Sequence, residues 1–398
     1  MKYYIIAGEA SGDLHGANLI RALKRKDQNA TFRLWGGDLM KEQGKNLVRH
    51  YKKLAFMGFL EVIQNLRTIA RNIRFCKKDL LEYNPDVLIL IDYPGFNLKI
   101  AKFAKTKGLT VFYYISPKLW AWKQSRINII KQYVDKMFVI FPFEVNFYKQ
   151  FDFTVDYMGN PIMDAIAEKS KYLDTRETFL KKNSLLDKPI IALLPGSRKQ
   201  ELKNMLPVML EIIPFYRDYQ FLVAAHLSIE EPYYTQLMKG FNVKLLFDQT
   251  YPVLQHAKAA IITSGTATLE AAILNVPEVV CYKGGKISYF IAKQFVNVKY
   301  ISLVNLIMDA EVVKELIQND LEPAALKSEL GKILQDGNNR KEMLNQFNIL
   351  REKLGESGVS DKIANVMYDY LQKCLKKKCL KCLKFKMPKK EMPKVPKV

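Results

Sequence analysis

Several short runs of this sequence place reactive or ligand-binding side chains directly after an apolar stretch. The first is Gly8-Glu9-Ala10-Ser11-Gly12-Asp13. Its glycines permit a sharp turn and close approach of a ligand, but it is neither G-x-G-x-x-G nor a lysine-bearing phosphate loop. Glu9 would repel phosphate, so the run suits a hydroxyl-rich acceptor, with Glu9 a candidate general base. Ser11, Gly12 and Asp13 complete this loop, and Ser11 or Asp13 could cap the helix that follows. The second run, Ile91-Asp92-Tyr93-Pro94-Gly95, ends a wholly apolar stretch in a carboxylate. Partial desolvation there would make Asp92 a usable base; a turn-forming Asp before Pro94 is the plainer use. The third run starts at Ser116 and carries Trp120 and Trp122 beside Lys118, Lys123 and Arg126. Such rings suit a boundary between apolar and polar surroundings.

Two runs in the second half suit anions. Leu194-Pro195-Gly196-Ser197-Arg198 offers backbone N–H groups and a guanidinium for a diphosphate. Thr263-Ser264-Gly265-Thr266-Ala267-Thr268-Leu269-Glu270 is the strongest local signal. Ser264, Gly265, Thr266 and Thr268 would gather at a helix start, where N–H groups favour negative charge. Glu270, one turn further in, could accept from ribose hydroxyls. A plain Ser/Thr cap needs fewer such positions.

Other chemistries lack their residues. There is no D-x-D pair, no H-E-x-x-H and no G-x-S-x-G, and His15, His50, His226 and His256 are scattered. The expectation is therefore no metal and no cofactor. Cys374, Cys379 and Cys382 sit in a lysine run without a clear fourth ligand.

These runs must be held by regular elements. Apolar stretches at Tyr3, Phe32, Val87, Thr110 and Lys136 read as strands, and stretches near 189, 219, 243, 259 and 277 repeat the pattern. Helical periodicities at 18–25, 58–82, 125–133, 199–217 and 267–274 alternate with them. That alternation predicts an α/β fold with two Rossmann-like parallel sheets facing a cleft, and ligands outside the carboxyl ends of strands. The polar stretch 159–188 reads as a linker. Predicted divisions are 1–160, 161–350, a terminal helical region 351–371, and a disordered tail 372–398.

Bulk properties narrow the partners. The 398 residues are 49% hydrophobic and 26% charged, a globular composition. The formal net charge is +22, but about eleven Lys against the lone acid Glu391 lie after Leu371, so the body is only moderately basic. A start reading MKYYIIAGEASGD is not a secretory signal, and no run reaches the roughly 18 apolar residues of a spanning helix. A cytoplasmic location is expected. Leu54–Ile63, followed by a basic helix, suits a lipid surface, with Phe56, Met57, Phe59 and Leu60 as membrane contacts; a core-facing helix with a solvated basic face is the competing reading.

GEASGD, LAFMGFLEV, PDVLILIDYPGFN, YYISPKLWAWKQSR, LLPGSR, TSGTATLEAA and YISLVNL occur in this order. Together they resemble the lipid-A-disaccharide synthases, GT-B-type glycosyltransferases, from about Met1 to Asn319 and more weakly to Leu371. The resemblance implies an inverting, metal-independent transfer at the cytoplasmic face of the inner membrane. UDP-2,3-diacylglucosamine would be joined to 2,3-diacylglucosamine 1-phosphate (lipid X), releasing UDP. It implies catalytic roles for Asp92 and Glu9, and donor binding by Arg198, the Ser264–Glu270 run and Asn305. The partners implied are these two lipids and an anionic membrane surface, with no nucleic acid. The oligomeric state stays open, a homodimer among the possibilities. Gly95, Asn160 and Val304 depart from the family pattern, which often has Asp, His and Pro there, and the Lys/Cys tail lies outside it. Two other readings compete: a UDP-sugar epimerase sharing the fold, and a nucleic-acid binder relying on charge.

Overall fold

The computed structural model describes residues 1–54, 65–121, 123–172, 174–284 and 299–386. The chain divides into two compact units. One comprises Met1–Pro117, Asn128–Phe138 and the chain from Gly358; the other comprises Lys118–Ile127 and Val139–Ser357.

The first sheet contains β1 (Lys2–Ala7), β2 (Thr31–Gly36), β3 (Leu47–His50), β4 (Val87–Ile91), β5 (Thr110–Tyr114), β6 (Lys136–Val139) and the short β7 (Asp156–Tyr157). Their order is β3-β2-β1-β4-β5-β6-β7. The second sheet contains β8 (Ile190–Leu194), β9 (Gln220–Ala225), β10 (Lys244–Phe247), β11 (Ala257–Thr263), β12 (Glu278–Tyr282) and β13 (Lys314–Ile317), ordered β10-β9-β8-β11-β12-β13. The pairings of β1 with β2 and β4, and of β8 with β9 and β11, are parallel. Each sheet therefore reverses its winding once, between β1 and β4 and between β8 and β11. Every strand run read from the sequence is present, while β3, β7 and β13 were not foreseen.

Strands buried on both faces explain the unbroken apolar runs. Every residue of β4 and of β8 is buried. In the second sheet alternate residues serve opposite cores. Ile191, Leu193, Val223 and Ile261 join one cluster, and Ile190, Ala192, Leu222, Ala260 and Ile262 join the other, as the period of two requires.

Several expectations are corrected. The stretch 159–188 is not an open linker: it forms helices Ile162–Ser170 and Arg176–Lys182, and Phe179 and Leu180 are buried in the second core cluster. The second compact unit begins at Val139, while β7 remains a strand of the first sheet, and the C-terminal segment returns to the first unit. There, helix Val359–Lys386 packs along helix Ala10–Lys26, with Ile363, Met367 and Leu371 buried at a four-residue spacing. The same helix continues to Lys386, so the tail's first half is helical rather than disordered. The helix expected over 199–217 stops at Leu210, carrying Pro207 within it; Pro214 ahead lacks the N–H that would continue the run and disfavours helical backbone at the residue before it.

Glu278 opens β12 with no solvent exposure, and neither carboxyl oxygen finds a hydrogen-bond partner among the described residues. Burial drives its pKa well above the usual carboxylate range. Its unfolded form ionises near pH 4, while the folded form holds its proton to higher pH, so this residue costs stability as pH rises from 4. Glu278→Met should stabilise the chain by at least about 1–3 kcal/mol, with a gain that grows between pH 4 and pH 8. Urea melts at those two pH values check this; a gain independent of pH would show that Glu278 ionises normally.

Candidate functional site

In the first unit, strand register assembles the candidates. Ala7 lies opposite Ile91, and Ile91 opposite Tyr114. Gly8-Glu9, Asp92-Tyr93 and Ile115-Ser116 therefore leave three adjacent parallel strands at one level. The winding reverses between β1 and β4, the point where open α/β sheets bind ligands. Glu9 is half-buried and takes the position before helix Ala10–Lys26, in extended backbone and with no side-chain capping bond. Ser11 is exposed; Gly12 is buried; Ser116 is buried.

Asp92 and Tyr93 are consecutive left-handed residues, with φ of 43° and 47°. The Asp92 carbonyl accepts from the Tyr113 hydroxyl at 2.6 Å and from Asn97 Nδ2 at 2.7 Å, which fixes the turn and leaves the side chain half-buried at the strand end. A Cβ at Gly8 would collide with the Tyr93 ring, so only glycine admits this packing. Burial and the nearby Glu9 carboxylate push the Tyr93 phenol up to about 12. It stays protonated and donates to the Leu54 carbonyl at 2.7 Å. Tyr93, missed in the sequence, thus joins the two acid-bearing loops and the chain entering residues 55–64. Phe56, Met57, Phe59 and Leu60 lie outside the described residues, as does Trp122.

Asp13 does something other than line an acceptor loop. It lies inside its own helix, and its buried carboxylate accepts from the N–H groups of Gly37, Leu39 and Met40 at 2.6, 3.2 and 3.1 Å. It caps helix Asp38–Gly44. Burial raises its pKa, while those N–H bonds oppose the rise.

In the second unit, Leu194 lies opposite Ile262, and Thr263 opposite Cys281. The Pro195–Arg198 loop and the Ser264–Thr268 turn thus flank the second reversal point. Gly196 has φ of 106°, and a Cβ there would fall 2.5 Å from Glu201 Oε2. That carboxylate accepts from the N–H groups of Ser197 and Arg198 at 3.0 and 3.3 Å. The loop amides expected to hold a diphosphate are therefore occupied by Glu201. The Arg198 guanidinium, 61% exposed, pairs with Glu201 at 3.2 Å, a surface contact of about 0–1 kcal/mol that an anionic ligand can exchange.

Gly265 and Thr266 are exposed at the start of helix Thr266–Ile273, where the first N–H groups lack intrahelical acceptors. Thr268 is corrected to a structural role: it is fully buried and its hydroxyl donates to the Gly265 carbonyl at 2.9 Å. Glu270 accepts from the Tyr251 hydroxyl at 2.6 Å. Burial raises its pKa, opposed by Tyr251 and by Lys169.

Asn305 is likewise not a ligand contact. It is fully buried; its Nδ2 donates to Val313 O and Glu315 Oε1, and its Oδ1 accepts from the N–H groups of Val312 and Val313, all at 2.8–2.9 Å. Its amide has no capacity left. Glu315 also accepts from the N–H groups of Ile301 and Ser302, each at 2.9 Å, and Ile301 O accepts from the Ser264 hydroxyl at 2.9 Å. Asn305 therefore acts on the Ser264 turn through Glu315. Glu201 and Glu315 were missed because a lone Glu near a strand or helix end carries no distinguishing spacing.

No group of three or more metal-ligating side chains gathers among the described residues, nor does any described helix have the length and apolarity to cross a membrane.

Two parallel α/β units, each with its candidate residues at the winding reversal, define the GT-B class of nucleotide-sugar enzymes. The fold resembles a UDP-GlcNAc 2-epimerase from Neisseria meningitidis bound to UDP-GlcNAc, with a TM-score of 0.66, 16% identity, and coverage of 93% of this chain and 100% of that one. The sequence separates the readings that share this fold. A profile for lipid-A-disaccharide synthetase matches residues 3–365. Lipid-A-disaccharide synthases from Syntrophus aciditrophicus and Geobacter sulfurreducens are 38% and 35% identical to it, each aligned over 93% of this chain and 97% of its own length. The chain belongs to the lipid-A-disaccharide synthase family, glycosyltransferases that form the lipid A disaccharide.

Support and contact separate by mutation. Asn305→Ala should cost about 2–4 kcal/mol by stranding its buried partners, whereas Arg198→Ala should change stability by under about 0.5 kcal/mol. Urea melts of both variants check this; equal losses would put Arg198 in the framework.

Proposed function

We propose that Asp92 is the general base of this transfer, with Glu9 beside it, and that the second unit holds the UDP diphosphate. The acceptor is 2,3-diacylglucosamine 1-phosphate and the donor UDP-2,3-diacylglucosamine. The acceptor 6-hydroxyl attacks the donor's anomeric carbon and passes its proton to Asp92. The bond from that carbon to the diphosphate breaks, and UDP leaves. Arg198 and the N–H groups at Gly265 and Thr266 offset the charge gathering on the leaving diphosphate, the task a metal serves elsewhere, so no metal is required. The reaction takes place at the cytoplasmic face of the inner membrane, where both lipids are anchored.

The register that brings Glu9, Asp92 and Ser116 to one level at the reversal point carries this reading. Asp92 is favoured over Glu9 because its turn is fixed by two hydrogen bonds to its own carbonyl. Asp92→Asn should lower kcat about 10²–10⁴-fold with donor Kd unchanged. Mass spectrometry of the disaccharide formed from the two diacylated substrates checks this, with and without EDTA. Unchanged turnover would remove Asp92 as the base, and loss of product in EDTA would remove the metal-free reading. Glu9→Gln decides which carboxylate is essential.

A further inference from the structure

We propose that His226 is a further contact for the donor's diphosphate, presenting its Nε2–H beside Arg198. The inference rests on the reading of the second unit as the holder of that diphosphate. It adds to that site a residue whose type and spacing in the sequence gave no sign of it.

Strand register brings His226 to the site. Leu193 lies opposite Val223, so Gly196 and His226, each three residues further on, leave the neighbouring strands β8 and β9 at one level. Such neighbours lie about 4.8 Å apart. The two loops are also tied together. The Ser228 hydroxyl donates to Ser197 O at 2.8 Å, and the Tyr233 hydroxyl donates to Lys199 O at 3.4 Å. The His226 backbone N–H donates to the hydroxyl of Tyr234 at 3.0 Å, and Tyr234 is fully buried. The backbone of His226 is thus anchored while its side chain is exposed.

One ring nitrogen orients the imidazole. Nδ1 accepts from the Ser228 N–H at 3.1 Å, and the Ser228 hydroxyl lies 2.8 Å from the same atom. A ring nitrogen that accepts carries no proton, so the neutral imidazole holds its proton on Nε2. Nε2 lies across the ring from Ser228, and among the described residues nothing accepts from it. An oriented N–H donor therefore stands at the level of a loop whose own amides are held by Glu201 and whose guanidinium is exposed. An anion meeting this loop engages side chains, and a diphosphate has oxygens enough for both Arg198 and His226. A donor already fixed in place favours the charge that gathers as UDP leaves.

A plain turn is the competing use of this residue. A side chain that accepts from the N–H two residues on is also what Asn or Asp supplies in an Asx-turn. His226→Asn separates the two uses, since Asn Oδ1 can keep the bond to the Ser228 N–H while no donor reaches the place of Nε2.

Titration calorimetry of the full chain with UDP, joined to steady-state kinetics with the two diacylated substrates, tests this. His226→Asn should weaken UDP binding about tenfold, with the acceptor KM and the urea midpoint unchanged. Uridine, followed by NMR, should bind parent and variant alike. The inference is overturned by a variant that binds UDP as the parent does, by an equal loss for uridine, or by a UDP loss that comes with a lowered urea midpoint. A parent that binds UDP and forms disaccharide, with His226→Asn altering neither, would remove the inference alone and leave the proposed function standing. A parent that binds no UDP would remove both.

Discussion

Parallel strand register is the constraint on which both sites depend. When strands run the same way, every strand-to-helix loop leaves from one edge, and the register decides which loops meet. Aligning Ala7, Ile91 and Tyr114 delivers Glu9, Asp92 and Ser116 together, and aligning Leu194 with Ile262 does the same for Arg198 and the Ser264 turn. The edge is not free of cost. Asp92, Tyr93 and Ile115 all have positive φ, and a β-branched residue such as Ile115 adopts that region rarely. Left-handed backbone costs roughly 1–2 kcal/mol per residue. The strain is offset locally, by the two hydrogen bonds to the Asp92 carbonyl and by the Tyr93 ring lying over Gly8.

A second regularity is that carboxylates at or beside these loops hold backbone N–H groups. Asp13 gathers three N–H groups, Glu201 two, and Glu315 two plus an amide. Each fixes the start of a helix or the strap beside one. Loops fixed in this way need little reorganisation as charge develops on a reacting group, and fixed dipoles stabilise that charge more effectively than mobile ones. The role of Asn305 follows from this: three hydrogen bonds, through Glu315 and then Ile301, link it to the Ser264 hydroxyl.

The fold was legible because parallel strands covered on both faces must be apolar throughout, and VLILI and IIALL announce themselves. The strands LVRH, DY and KELI gave no such signal, being short and only partly buried. The loops were legible by position and less so by role. Whether a polar side chain faces a ligand or a backbone amide depends on partners distant in sequence; those of Asp13 are 24 to 27 residues away. Thr268 shows the same limit at short range. Ser264, Gly265, Thr266 and Thr268 look equivalent in sequence, yet one turn of helix puts Gly265 and Thr266 outside and Thr268 inside. The stretch 159–188 misled because its apolar residues are spaced for two short helices, too sparse to stand out from polar surroundings.

The occupancy of the Gly196–Arg198 loop bears on how a diphosphate engages the second unit. Amides of Ser197 and Arg198 converge on one point, as they would around a bound anion, and the Glu201 carboxylate already sits there. An incoming phosphate would have to displace a carboxylate tethered three or four residues away, or leave it in place and meet its negative charge. The second course carries the smaller cost if the phosphate approaches from the solvent side. There the guanidinium is exposed and its pairing with Glu201 is weak. On the proposed reading Arg198 would bridge an internal carboxylate and an external phosphate, since its fork of donors can address both. A lysine at this position would satisfy one partner at a time. The helix start at Gly265 and Thr266 has no internal carboxylate of the Glu201 kind among its described contacts, so on the same reading its backbone N–H groups would meet phosphate directly.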